Sequence, residues 1–236
     1  MLRQVARARL SKGLRAAIRQ VADEWRIHRR HRASVRKAAQ ISTGQPLRVN
    51  LASGHHPKAD WINVDLFAPH ADLRLDLRER LPFRDSSIAE IYCEHFFEHL
   101  EYPNVADPVA WTLETPQSPS EAMAFLRECR RVLTPAGVLD IVVPDAEVII
   151  GEYVNRHQPG FSVPAWWGPA WCDTELHRVN YLFRQGREHK YAYDYETLRR
   201  VIESAGFASV DRRSFDPARD AENHRIGSLF VLSRKH

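Results

Sequence analysis

The sequence predicts an α/β fold: a mostly parallel sheet that turns antiparallel at its C-terminal end, preceded by a basic amphipathic helix. Three observations predict it. From about residue 47 onward, short apolar runs alternate with segments of helical spacing. The chain then ends on two successive strand signals, Phe207 to Phe215 and Ser228 to Leu232. Ahead of all this, Leu10, Leu14, Ile18, Val21 and Trp25 recur three and four residues apart among arginines, as one apolar stripe of a helix does.

Each element follows from its own residues. Residues 1–40 form a basic helical arm, with twelve Lys/Arg against Asp23 and Glu24, a net of +10. The remaining body, 41–236, holds twenty-two basic and twenty-eight acidic residues, net −6, so the basic pI belongs to the arm. Leu47 to Leu51 is a short strand closed by the small residues Ala52, Ser53 and Gly54. Trp61 to Asp65 is a second strand, Asp72 to Leu77 holds a third, and Ile88 to Cys93 is a fourth. Only nine residues link Leu51 to Trp61, fewer than the dozen or so that a helical crossover takes, so the first helix is reduced to about a turn. Ser120 caps a helix whose apolar Ala122, Phe125, Leu126, Cys129 and Leu133 keep helical spacing until Thr134, Pro135 and Gly137 stop it. Val138 to Val143 reads as a buried strand, and Asp194 caps a last helix ended by Gly206. Proline-rich insertions are expected at about 103–119 and 158–190, the second gathering Trp166, Trp167 and Trp171.

Composition removes several classes. With 236 residues, 44% hydrophobic and 27% charged, the chain is neither fibrous nor disordered and buries a sizeable core. No apolar run is long enough to span a bilayer, and no secretory signal is expected. Cys93, Cys129 and Cys172 are odd in number and widely spaced, which argues against a disulfide framework or structural zinc and for a reducing, cytoplasmic setting. The arm can rest on the body or another subunit, on an anionic membrane, or on nucleic acid, the last being the least favoured.

In open α/β sheets the ligand sits beyond the carboxyl ends of the strands, so the residues just after each strand carry the information. Ala52, Ser53 and Gly54 let backbone amides approach a ligand. Asp65 can accept hydrogen bonds from a ribose diol, Asp76 and Leu77 can hold an adenine, and Glu94, His95, Glu98 and His99 follow the fourth strand. The runs Leu47 to Gly54, Trp61 to Asp65, Asp76 to Phe83, Ile91 to Leu100, Phe125 to Leu133 and Val142 to Asp145 together resemble class I S-adenosylmethionine-dependent methyltransferases of the methyltransferase-11 type. The resemblance covers roughly residues 45–150, with a tail at 190–232. It implies a Rossmann-like, seven-stranded sheet that binds S-adenosylmethionine. By the same resemblance Asn50, Leu51, Ala52, Ser53 and Gly54 form the loop at the methionyl end and Asp65 holds the ribose. Asp76 and Leu77 flank the adenine, and Cys93 and Glu94 line the methyl-donor pocket. The family's loop usually begins with Gly where Ala52 stands, and often has an acid at the position of Asn50.

His95-Phe-Phe-Glu-His99 also spells H-x-x-E-H, the signature of inverted zinc peptidases, which would need a helix placing both histidines on one face. The motif falls where the methyltransferase resemblance expects a His and a Glu anyway, so no metal ligand is assigned. The expected activity is methylation, through oxygen, of a small-molecule or glycan acceptor. His95 is the first candidate base, His189 the second, and Glu98 orients the imidazole. The alternative is a catalytically inactive nucleoside-binding scaffold with the arm as its working part. A nicotinamide-dependent oxidoreductase is disfavoured because the first turn lacks three glycines.

Overall fold

The computed structural model describes residues 10–41, 45–102, 120–160 and 169–236. Helix α1 spans Lys12–Ala38, and the Ser11 hydroxyl caps it by accepting the Leu14 amide hydrogen at 3.2 Å. Strands β1 (Leu47–Leu51), β2 (Ile62–Val64), β3 (Ile88–Glu94) and β4 (Leu133–Pro144) pair in parallel. Strand β6 (Ser228–Arg234) runs antiparallel to β4 and to β5 (Ser209–Arg212), giving the order β2-β1-β3-β4-β6-β5. The chain leaves β1 for one side and returns to the other for β3, so the strand order reverses at β1.

Helices α2 (Glu121–Val132), α3 (Ala146–Asn155), α4 (Glu175–Arg184) and α5 (Tyr195–Ser204) each begin on a capping side chain. Ser120, Asp145, Thr174 and Asp194 accept amide hydrogens from Met123, Glu147, His177 and Thr197 at 2.8–3.3 Å. The caps at Ser120 and Asp194 are those the sequence predicts, whereas α4 lies inside the expected second insertion and has no sequence signal above its proline- and glycine-rich surroundings. The insertion at 103–119, together with Trp166 and Trp167, lies outside the described residues. Trp171 is described and exposed, with its ring edge-on to His177 and Tyr181.

One face of the sheet carries the main core. Val49 and Leu51 of β1, Ile91 and Cys93 of β3 and Leu139, Ile141 and Val143 of β4 pack with α2 through Phe125, Leu126 and Cys129 and with α5 through Leu198, Val201 and Ile202. The other face carries Asn50, Tyr92, Asp140 and Leu232, which stand side by side in register. No helix joins β1 to β2, since that link contains only turns. The segment after β5 covers part of this face instead. There Arg213 grips Asp220 with two hydrogen bonds of 2.6 Å and Asp140 with one of 2.9 Å, while the Tyr92 hydroxyl donates to Asp220 at 2.9 Å.

The sheet has six strands among the described residues, not the seven expected. The missing one is the third, Asp72 to Leu77, which shrinks to a single parallel bridge between Val64 and Leu73. Its alternation is real, because Leu73, Leu75 and Leu77 are all buried. Its outward amides, however, are taken by α1: Arg74 N–H donates to Ser34 Oγ at 2.7 Å and Asp76 N–H to His31 Nδ1 at 3.2 Å. The C-terminal half of α1 thus closes the edge of the sheet that a further strand would otherwise offer.

Candidate functional site

The Ala52–Gly54 turn leaves β1 with both Ala52 and Gly54 in the left-handed region, at φ 53° and 49°. A Cβ at Gly54 would meet nothing nearer than the Ala52 carbonyl oxygen at 4.0 Å, so this backbone borders open space. The turn is held from both sides. Ser53 N–H donates to the Val64 carbonyl at 3.0 Å, and Gly54 N–H donates to Asp65 Oδ2 at 3.0 Å. Asp65 in turn accepts the amide hydrogens of Phe67 and Ala68 on Oδ1, both at 2.7 Å. The small-residue turn after β1 and the acid after β2 therefore meet at the carboxyl ends of two neighbouring parallel strands. An ionised carboxylate offers about four acceptor sites, so three amides leave Asp65 room for about one further donor.

The other expected cofactor residues divide by where their side chains point. Asn50 is buried and spends its amide on the His56 carbonyl (3.1 Å) and on Asn63 Oδ1 (3.0 Å), where it shapes the β1–β2 link. Leu51, Leu77 and Cys93 lie in the core, so only their backbone can face a ligand. Burial raises the Cys93 thiol well above its ordinary pKa. Asp76 is buried beside α1, and its carboxylate is gripped by Arg78 Nε and Nη2 at 3.0 and 2.7 Å and by the Arg78 amide at 3.0 Å. Despite the opposing effect of burial, these bonds hold Asp76 below the usual carboxylate range. An adenine amino group would have to displace Arg78. A cleft of about 720 Å³ opens here, lined by His28 and His31 of α1 and by Asp76 and Arg78.

After β3, Glu94 turns toward the segment preceding β6. Its Oε1 accepts the Ala221 amide hydrogen at 3.2 Å and lies 3.1 Å from His224 Nδ1. The His224 ring stacks on His95 with centroids 3.7 Å apart and planes 10° from parallel. His95 itself has φ 49° and places Nε2 2.9 Å from Ser228 Oγ. Burial, followed by the neighbouring imidazoles of His224, His189 and His99, lowers the His95 pKa well below its ordinary value, so the ring is neutral at pH 7. A polar groove of about 700 Å³ borders this group, lined by His55, His56, Lys58, Asp216 and Arg219. Burial also lowers the pKa of Lys58, whose ammonium lies 3.9 Å from the centre of the Tyr92 ring.

The structure brings the three expected catalytic residues together, but not on the surface. His95 Nδ1 and His189 Nε2 lie 3.8 and 3.9 Å from Glu98 Oε1, and the side chains of Glu98 and His189 are only 2% and 1% exposed. No acceptor reaches those two directly. The helix required by the zinc-peptidase spelling is absent, because Phe97–His99 is a single 3₁₀ turn. His224, Ser228 and His56, which sequence reasoning did not single out, complete the group around His95. No local pattern marks His224, which stands 130 positions from its partner Glu94.

No protein-family model matches the chain, and no curated protein matches it. Among solved structures it is similar to an S-adenosylmethionine-dependent methyltransferase of Thermotoga maritima described as a possible histamine N-methyltransferase. That similarity has 13% identity over 93% of this chain and 96% of that one, with a TM-score of 0.42. It is also similar to the phosphoethanolamine N-methyltransferase 2 of Haemonchus contortus in complex with S-adenosylmethionine, with 12% identity over 86% and 51% of the two chains and a TM-score of 0.45. A third is a possible exported protein of Bordetella parapertussis, with 14% identity over 88% and 67% and a TM-score of 0.44. Likeness at this level says nothing of substrate, and function has to be argued from this chain's own geometry.

Proposed function

We propose that the protein is an S-adenosylmethionine-dependent methyltransferase acting on an oxygen of a small-molecule or saccharide acceptor. The observation that carries this reading is the 3.0 Å hydrogen bond from Gly54 N–H to Asp65 Oδ2 beside the point where the strand order reverses. The open backbone at Ala52 and Gly54 fits an amino-acid end, and the remaining acceptor site of Asp65 fits one ribose hydroxyl. The sulfonium supplies an already activated methyl group, so the protein's task is to bind and align. A hydroxyl acceptor also needs its proton taken. The Glu94–His224 pair suits that role, because a carboxylate on Nδ1 fixes the tautomer and orientation of the ring. The groove lined by His56, Lys58 and Arg219 is polar, as a hydroxylated acceptor requires.

The test is equilibrium binding of S-adenosylmethionine and S-adenosylhomocysteine. Wild type binds both. Asp65→Ala weakens both by about 1–3 kcal/mol, roughly 5- to 150-fold, because a charge-assisted hydrogen bond and the anchor of Gly54 are lost together. Absence of binding to either nucleoside at millimolar concentration overturns the proposal. The alternative is the catalytically inactive nucleoside-binding scaffold. Binding without methylation of any extract would select it.

We further propose that the exposed part of α1 rests on an anionic membrane surface. Leu14, Ile18, Val21 and Trp25 are 48–70% exposed along one stripe, with Arg15, Arg19, Arg26 and Arg29 around them. No helix among the described residues is long and apolar enough to cross a membrane.

A further inference from the structure

Among the described residues, Glu98 stands out as an acid with both oxygens buried. It is a carboxylate that is 1% exposed, and neither oxygen has a hydrogen-bond partner from another residue among those described. A buried carboxylate without a partner costs several kcal/mol, so something should offset that cost. Three imidazoles surround it at nearly equal distances. His99 Nε2 and His189 Nε2 each lie 3.9 Å from Glu98 Oε1, and His95 Nδ1 lies 3.8 Å away. These are too long for hydrogen bonds, which need about 3.2 Å or less.

The structure assigns Glu98, His99 and His189 as a binding site for a divalent transition ion of the zinc class. One donor atom from each residue lies within 4.8 Å of the other two. Metal bonds of about 2.0–2.2 Å place the ligand atoms of a tetrahedral ion roughly 3.3–3.6 Å apart, so the two Glu98–imidazole distances of 3.9 Å need to shorten by about half an ångström and the widest pair by little more than an ångström. Two imidazoles and a carboxylate select zinc and its first-row neighbours over calcium or magnesium, which prefer all-oxygen sets.

The surroundings supply the outer contacts that such a site uses. His189 Nδ1 lies 2.6 Å from the Leu182 carbonyl oxygen, which fixes the tautomer that leaves Nε2 as the ligand atom. His99 likewise has the backbone of Glu188 as a partner. Its side chain is 24% exposed, which opens a path of entry. The Glu98 carbonyl meanwhile accepts the amide hydrogens of Lys190 at 2.8 Å and Tyr191 at 3.2 Å, and so brings the two ligand-bearing segments side by side. Because two of the three ligands are sealed from solvent, the ion acts as a clamp between the turn after β3 and the segment before α5. His95 Nδ1 is the next donor in reach for the fourth position.

The test uses the untagged full-length chain. It combines elemental analysis as purified, chelation followed by Zn²⁺ titration, and Co²⁺ substitution followed by visible absorption. Wild type should carry or take up about one equivalent per chain, show the visible bands of four-coordinate cobalt, and unfold at higher temperature when Zn²⁺ is added. His99→Gln, His189→Gln and the near-isosteric Glu98→Gln should each weaken Zn²⁺ binding tenfold or more, with circular dichroism confirming that they fold. His177→Gln, at an exposed histidine paired with Asp173, should bind as wild type does. Metal-free wild type that gains neither cobalt bands nor thermal stability overturns the inference. So does undiminished Zn²⁺ affinity in Glu98→Gln and His189→Gln. Neither result bears on nucleoside binding, which is measured separately.

Discussion

Arg213 shows how much one side chain can hold when it replaces a layer of structure. Its guanidinium joins Asp140, which is fully buried, to Asp220 on the segment that covers the helix-free face. Removing Arg213 leaves Asp140 to Arg219 alone and Asp220 to the Tyr92 hydroxyl and the Asp216 amide, so Arg213→Ala should lower unfolding free energy by about 3 kcal/mol. Arg212→Ala breaks the exposed pair with Glu147 and a contact over the Tyr195 ring, and should cost only about 1 kcal/mol. Urea unfolding of the two variants checks the contrast, and equal costs would mean the network is not what seals this face. At this scale the legible residues were those whose role depends on their own strand end: Gly54 and Asp65 each follow an apolar run directly, and the structure joins them. The illegible ones depend on which face a side chain takes or on distant partners. Leu51 and Cys93 point into the core on the side opposite Asn50 and Tyr92, and strand-end position alone does not reveal that parity.

Helix α1 carries two functions along its length, and the sequence revealed only one. The stripe Leu14 to Trp25 is legible because apolar residues recur among arginines, yet it is the exposed part. The docked part uses Ser34, buried beside the third β-segment, and Ala38, which joins the core. Those residues look unremarkable in sequence, because a serine becomes an edge-capping group only when the Arg74 amide stands opposite it. Alternation in Asp72 to Leu77 likewise signals burial of three leucines correctly, but does not say whether a strand or a helix satisfies the outer amides. Ser34→Ala therefore leaves a partly buried amide without its acceptor and should cost about 1–3 kcal/mol in unfolding free energy. Ser11→Ala, at the exposed cap of the same helix, should cost about 1 kcal/mol or less. A Ser34→Ala protein as stable as wild type would show that α1 does not brace this edge.

Across the whole molecule, charge is divided as sharply as structure. An arm of net +10 stands on a body of net −6, and its docked half already uses Lys37, Arg30 and His31 to contact the segment 66–76. Beyond it, Arg19 and the apolar stripe Leu14, Ile18, Val21 and Trp25 are exposed. On an anionic bilayer each arginine near the surface contributes about 1 kcal/mol, a term that falls off within the Debye length, while Trp25 and the aliphatic residues enter the headgroup boundary. Vesicles containing phosphatidylserine should therefore bind the protein in flotation assays, and binding should weaken steeply between low and physiological salt. The double variant Ile18→Glu/Val21→Glu should lose at least about tenfold in vesicle affinity, because burying either acid in that boundary is unfavourable. Its melting temperature should stay unchanged, since both positions are at least half exposed. Failure to float with phosphatidylserine vesicles would assign the stripe to a protein surface and leave the arginines as its solvated rim, whereas equal flotation with purely zwitterionic vesicles would remove the arginines from the binding and leave the apolar stripe alone.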